Sequence, residues 1–136
     1  MQRTYFRAGL LAWALLAAAC GPQPASREQI AAYSEKITFS DFTAEAAENI
    51  AGHTIYQIGA QVRNQGNRTI AEMDVVAAFR DDDRQVVLKE AAPVVRRTHM
   101  PLKAGESRRV ELRFESLPKS WNRHAPELQV TRLVLE

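Results

Sequence analysis

The sequence predicts an all-β fold, an antiparallel β-sandwich of six or seven strands. Three observations carry this expectation. Apolar residues recur at every second position over most of the chain from about Tyr33 onward, the alternating segments are short and separated by turn residues, and no long amphipathic helix interrupts them. A chain of 136 residues, 46% apolar and 25% charged, has the size and composition of one globular domain. The balance of 18 Lys and Arg against 16 Asp and Glu gives no electrostatic reason to expect nucleic-acid binding.

The sandwich is expected over residues 34–136. Ile37 and Phe39 share a phase that Phe42 breaks, which places a bulge in the first strand. Thr43 to Asn49 is rich in Ala and Glu and has local helix propensity, but seven residues are too few for an independent helix, so an ordered connection is expected. Tyr56, Ile58, Ala60 and Val62 then alternate with Gln57, Gln61 and Arg63, giving one buried and one wet face, and Asn64-Gln65-Gly66-Asn67 forms a turn. Met73, Val75, Ala77 and Phe79 mark the next strand, Asp81 to Arg84 reverses the chain, and Gln85 to Lys89 opens another. After the turn at Lys103 to Glu106, Val110, Leu112 and Phe114 alternate with Arg109, Glu111, Arg113 and Glu115. In the last segment Leu128, Val130 and Val134 set one phase while Leu133 and Leu135 set the other. That pattern requires either a bulge near Thr131-Arg132 or burial on both faces.

The first residues have a different character. Arg3 and Arg7 precede an apolar run from Ala8 to Ala19, small residues, and the only cysteine, Cys20, which is the layout of a secretory signal over residues 1–19. The run has 12 residues, whereas a bilayer-spanning helix needs about 20, so cleavage is expected in preference to a retained span. Two cleavages compete. Ala17-Ala18-Ala19 suits an ordinary signal peptidase, while the same residues before Cys20 resemble a bacterial lipobox, in which the cysteine is acylated and anchors the chain to a membrane. The usual lipobox has Leu three before the cysteine; Ala17 holds that place and Leu16 lies one earlier. Gly21 in place of Asp after the cysteine implies the outer membrane in a two-membrane bacterium. Residues 20–33 then read as the lipidated Cys20 and a tether, able to lift the domain roughly 40 Å if Gly21 to Ala32 were extended. Within it, Ser26 and Gln29 have the spacing of a capping box. Removing residues 1–19 takes away Arg3 and Arg7 and leaves 117 residues with 16 basic and 16 acidic side chains.

Three stretches carry a family resemblance: Ala46 to Gly52 leading to Gly59-Ala60-Gln61-Val62-Arg63-Asn64-Gln65-Gly66; Val75 to Val87; and Pro101 to Glu106 followed by Phe114, Pro118, Trp121-Asn122 and Pro126-Glu127-Leu128. Together they resemble a bacterial family of immunoglobulin-like domains without assigned function, related in pattern to the FxLYD extracytoplasmic domains. Where that name implies an aromatic strand ending in Tyr-Asp, this chain reads Phe79-Arg80-Asp81. The resemblance implies an immunoglobulin-like sandwich outside the cytoplasm and brings no catalytic residues with it.

Reactive residues are sparse. His53, His99 and His124 are too far apart in sequence to form a ligand pair on one element, although His99-Met100 offers the soft donors that suit Cu(I). Asp81 to Asp83 offers oxygen ligands for Ca²⁺ but lacks the Gly and distal Glu of an EF-hand loop. No serine lies in a G-x-S-x-G setting, and Asn67-Arg68-Thr69 matches a glycosylation acceptor only by pattern. Arg96, Arg97, Arg108, Arg109 and Arg113 interleave with Glu106, Glu111 and Glu115, which reads as a mixed solvated face. Trp121, in the connection before the last strand, is expected to cap the open end of the core. The expectation is a non-enzymatic interaction or structural module with no catalytic residue, metal or cofactor. It would be held in the bacterial envelope by Cys20, facing the periplasm, and would bind an unidentified envelope protein through a strand edge. A metal or small-ligand carrier using His99, Met100 or the aspartates is the alternative.

Overall fold

The computed structural model describes residues 21–136. The signal assigned to residues 1–19 and the lipidation assigned to Cys20 lie outside the described residues. One helix, α1 (Arg27–Ser34), is followed by six strands: β1 (Ile37–Glu48), β2 (Thr54–Asn64), β3 (Ile70–Arg80), β4 (Val86–Val95), β5 (Ser107–Glu115) and β6 (Glu127–Leu135). The strands form two three-stranded sheets, ordered β1-β2-β5 and β4-β3-β6, with every neighbouring pair antiparallel. The predicted all-β sandwich is therefore the fold.

Period-two patterning decides which side chains meet between the sheets. Ile58, Ala60 and Val62 of β2 and Val110, Leu112 and Phe114 of β5 are buried opposite Met73, Val75, Ala77 and Phe79 of β3. Both expected bulges are present. The β1–β2 register shifts between Ser40 and Thr43, where Asp41 adopts φ +51°, a left-handed value that Asp tolerates better than most residues. On β6, Arg132 pairs with Asp74 and Val130 with Val75, so Thr131 is the extra residue and Val130 and Leu133 both reach the core.

Two expectations are corrected. Thr43 to Glu48 is the second half of β1 and no connection: it pairs residue by residue with β2, from Thr43 opposite Gly59 to Glu48 opposite Thr54. Ladder hydrogen bonds to β2 outweigh the helix propensity of its Ala and Glu residues, each worth only a few tenths of a kcal/mol. The tether expected over residues 20–33 is likewise structured from Pro24 on. Pro24 bridges Val134, the Ala25 N–H donates to the Leu133 carbonyl at 2.7 Å, and α1 packs beside β6 and β1. A complete capping box starts the helix: the Gln29 N–H donates to Ser26 Oγ at 3.2 Å and the Ser26 N–H to Gln29 Oε1 at 2.8 Å.

An immunoglobulin-like sandwich places strands A, B and E in one sheet and C′, C and F in the other, which is the order seen here. β6 holds the F position, and Pro24 and Ala25 lie beside its end.

Candidate functional site

At the end of the sandwich where β2 stops and β3 starts, α1 delivers Tyr33 into the core. Asn64 is the sole buried polar residue among the described residues, fully enclosed. Its Nδ2 donates to the carbonyls of Arg68 at 2.8 Å and Leu102 at 3.2 Å, and its Oδ1 accepts from the Gly66 N–H at 3.1 Å. The Tyr33 hydroxyl accepts from the Arg68 N–H at 3.1 Å and has the Asn64 Oδ1 at 3.0 Å and the Arg68 carbonyl at 2.9 Å as alternative acceptors for its single proton. Gly66 lies against the Tyr33 ring so closely that a Cβ there would overlap it. No buried side-chain nitrogen or oxygen among the described residues lacks a hydrogen-bond partner, so the Tyr33 and Asn64 side chains enter the core with their polar atoms satisfied. The Lys103–Glu106 turn joins it: the Asn64 N–H donates to the Glu106 carbonyl at 3.0 Å and the Gly105 N–H to the Asn64 carbonyl at 2.7 Å. Glu106 accepts from Arg108 Nη2 and from the Lys103 N–H, each at 2.8 Å, and these bonds hold its carboxyl below the ordinary carboxylate value.

The opposite end is aromatic. Trp121 is 7% exposed and meets Tyr56 and Phe79 edge-on, with ring centroids 5.4 Å and 5.6 Å away, while Phe79 meets Phe114 at 4.9 Å. Its indole N–H donates to the His124 carbonyl at 3.1 Å, so the polar tip is satisfied inside its own connection. An indole this enclosed is a packing element of the core.

The residues singled out for chemistry stay apart. His99 lies in the β4–β5 connection, at the Tyr33 end, whereas His53 and His124 lie in connections at the Trp121 end. No group of three His, Cys, Asp or Glu residues is placed to hold a metal ion among the described residues. Beside His99, Met100 is 73% exposed, in a groove lined by Arg96, Arg108 and Arg109 together with Glu106 and Glu111. Asp81 closes its own turn, accepting from the Gln85 N–H at 2.8 Å.

The arginine stretch divides by partner. Arg97 pairs with Glu72 at 2.9 Å and Arg108 with Glu106 at 2.8 Å. Arg109 instead crosses over Gly59 and donates to the Asp41 carbonyl at 2.9 Å and to Thr43 Oγ1 at 2.5 Å. It thereby clamps the β1 bulge, and a Cβ at position 59 would collide with it.

Past that bulge, the β1–β2 hairpin is the most exposed element of the sandwich. Thr43 to Glu48 is exposed on both faces and pairs only with β2, which leaves its outer edge open. At the tip, Asn49 Oδ1 accepts from the N–H groups of Ala51 and His53 at 3.0 Å and 2.9 Å, Gly52 turns at φ +78°, and Ile50 is fully exposed. Sequence reasoning missed this site because it read the segment as a connection. The chain matches no protein-family model, no curated protein and no solved structure.

Proposed function

We propose that this protein is a lipid-anchored, non-catalytic interaction module of the bacterial envelope, attached through Cys20 and offering the β1–β2 hairpin to an envelope protein. Support for the anchor comes from the sequence: a basic start, an apolar run of 12 residues, small residues and a single cysteine. The observation that carries the interaction reading is the open outer edge of β1 at Thr43 to Glu48, with Ile50 projecting at its tip. A strand edge with unpaired N–H and C=O groups recruits an extended segment by completing its ladder, and alternating side chains set the choice of partner. Glu45 and Glu48 on that edge disfavour pairing with a second copy in antiparallel register and favour a partner segment carrying Lys or Arg.

Two measurements test the reading. Metabolic labelling with an acyl probe is expected to mark the wild type and not Cys20→Ser, and a Cys20→Ser protein that keeps the label overturns the anchor. A photo-crosslinking side chain at Ala47 is expected to give one discrete adduct in cells, and the same probe at Asp83 none. Equal adducts from both positions, or none from Ala47, overturn the hairpin as the docking element.

A further inference from the structure

We infer that the Tyr33 end of the sandwich is a docking surface for an anionic lipid membrane, an inference that rests on the lipid-anchored reading above. Three observations point the same way. The first is chain length. Because Pro24 and Ala25 are bonded to Val134 and Leu133, only residues 21–23 separate Cys20 from the folded domain. At about 3.3–3.6 Å per residue the path from Cys20 to Pro24 spans at most roughly 15 Å, and not the roughly 40 Å of a free tether. An anchored domain therefore cannot lift its Tyr33 end far from the headgroups.

The second is charge. The strand ends and connections at that end carry Lys36, Arg63, Arg68, Arg96 and Lys103, all exposed, beyond Arg97, Arg132 and Arg108, which are balanced by Glu72, Asp74 and Glu106. Glu35 and Glu136 are the acidic side chains left on the same rim. At the Trp121 end the balance reverses, with Glu45, Glu48 and the Asp81 to Asp83 turn facing Arg84, Lys119 and Arg123. The side chains of residues 20–136 sum to zero charge, so this is a polarity along the strands and not a net basic protein. A negative lipid surface acts over about one Debye length, roughly 8 Å at physiological salt, and the short leader lets this end approach within that distance. The third observation is that Met100, the most exposed large apolar residue at this end, stands between Arg96 and Lys103 in the same connection.

Docking in this pose points the strands away from the membrane and carries the hairpin tip outward. β2 alone has 11 residues, about 35 Å at the rise of a strand. The anchored end and the partner-binding end then lie at opposite poles.

The test uses the full, acylated protein in phosphatidylglycerol-containing vesicles with a headgroup-labelled acceptor lipid, and a fluorophore on Met100→Cys or on Ala51→Cys. Energy transfer is expected to be several-fold stronger from position 100 than from position 51. Equal or reversed transfer in protein whose mass confirms acylation overturns the docking pose and leaves the anchor standing. Absence of the acyl chain in that mass overturns the anchor and the pose together. Replacing Arg96 and Lys103 by Ser, or the vesicles by neutral phosphatidylcholine, is expected to cut the position-100 signal at least twofold. An unchanged signal overturns the electrostatic basis of the inference.

Discussion

At one end of the sandwich Tyr33, Asn64 and Gly66 close the core with hydrogen bonds, and at the other Trp121, Tyr56 and Phe79 close it with stacked ring edges. The two solutions differ in what they demand of the chain. The aromatic end gathers its rings from β2, β3 and the β5–β6 connection and works by contact area, so it tolerates small displacements. The polar end needs several donors and acceptors matched at once, because a buried group left unpaired costs more than a paired one contributes. It also draws on the residues just before β1, which ties the N-terminal segment to the fold in a way the aromatic end does not.

Breaking the aromatic end is expected to have the largest effect. Trp121→Ala removes an enclosed indole and leaves a cavity against Tyr56 and Phe79, a loss of about 3–5 kcal/mol measured by denaturant unfolding. A variant with unchanged stability would show that Trp121 does not cap the core. Asn64→Ala comes next, at about 2–3 kcal/mol, because the Arg68 and Leu102 carbonyls and the Gly66 N–H lose a buried partner together. Tyr33→Phe keeps the ring against Gly66 and removes only the hydroxyl. The expected loss is about 1 kcal/mol, accompanied by faster amide exchange at Arg68, whose N–H the hydroxyl accepts. Equal exchange at Arg68 in wild type and variant would mean that the network does not hold the β2–β3 turn.

These two ends also differ in how far the sequence discloses them. Val110, Leu112 and Phe114 alternate with charged residues, so β5 is legible from period alone, and Trp121 stands out by size between two strong strands. Asn64 is not legible: in Asn64-Gln65-Gly66-Asn67 it reads as an ordinary turn residue, and its burial follows from the Leu102 carbonyl 38 positions away. Tyr33 is hidden for the same reason, since its partners come from the end of β2 and the turn that follows it. The Ser26–Gln29 spacing announces a helix start, but nothing local says that the helix docks and turns a tether into a clasp. Thr43 to Glu48 misleads because its propensity is local while its pairing with β2 is not. The clamp by Arg109 needs the register of three strands to be known before Gly59, Thr43 and Asp41 come together.

The smallest expected effect is a difference in pH response between the ends. The aromatic end holds its indole N–H on a backbone carbonyl, which does not titrate. The polar end includes Glu106, whose carboxylate accepts from Arg108 and from the Lys103 N–H that closes the turn beside Asn64. Those two hydrogen bonds favour the ionised form and lower its pKa in the folded protein below the ordinary 4.5. A group whose pKa falls on folding binds its proton more readily in the unfolded chain. Its contribution is therefore complete above the unfolded value and disappears as pH drops through the folded one. Glu106→Gln keeps an acceptor in place and removes the charge, so the variant is expected to be slightly less stable than the wild type at pH 7. The gap should narrow below pH 4.5 and close once Glu106 is protonated in the fold. Unfolding midpoints measured for both proteins across that range check the sign. A gap that widens as the pH falls would mean that Arg108 and the Lys103 N–H do not favour the carboxylate.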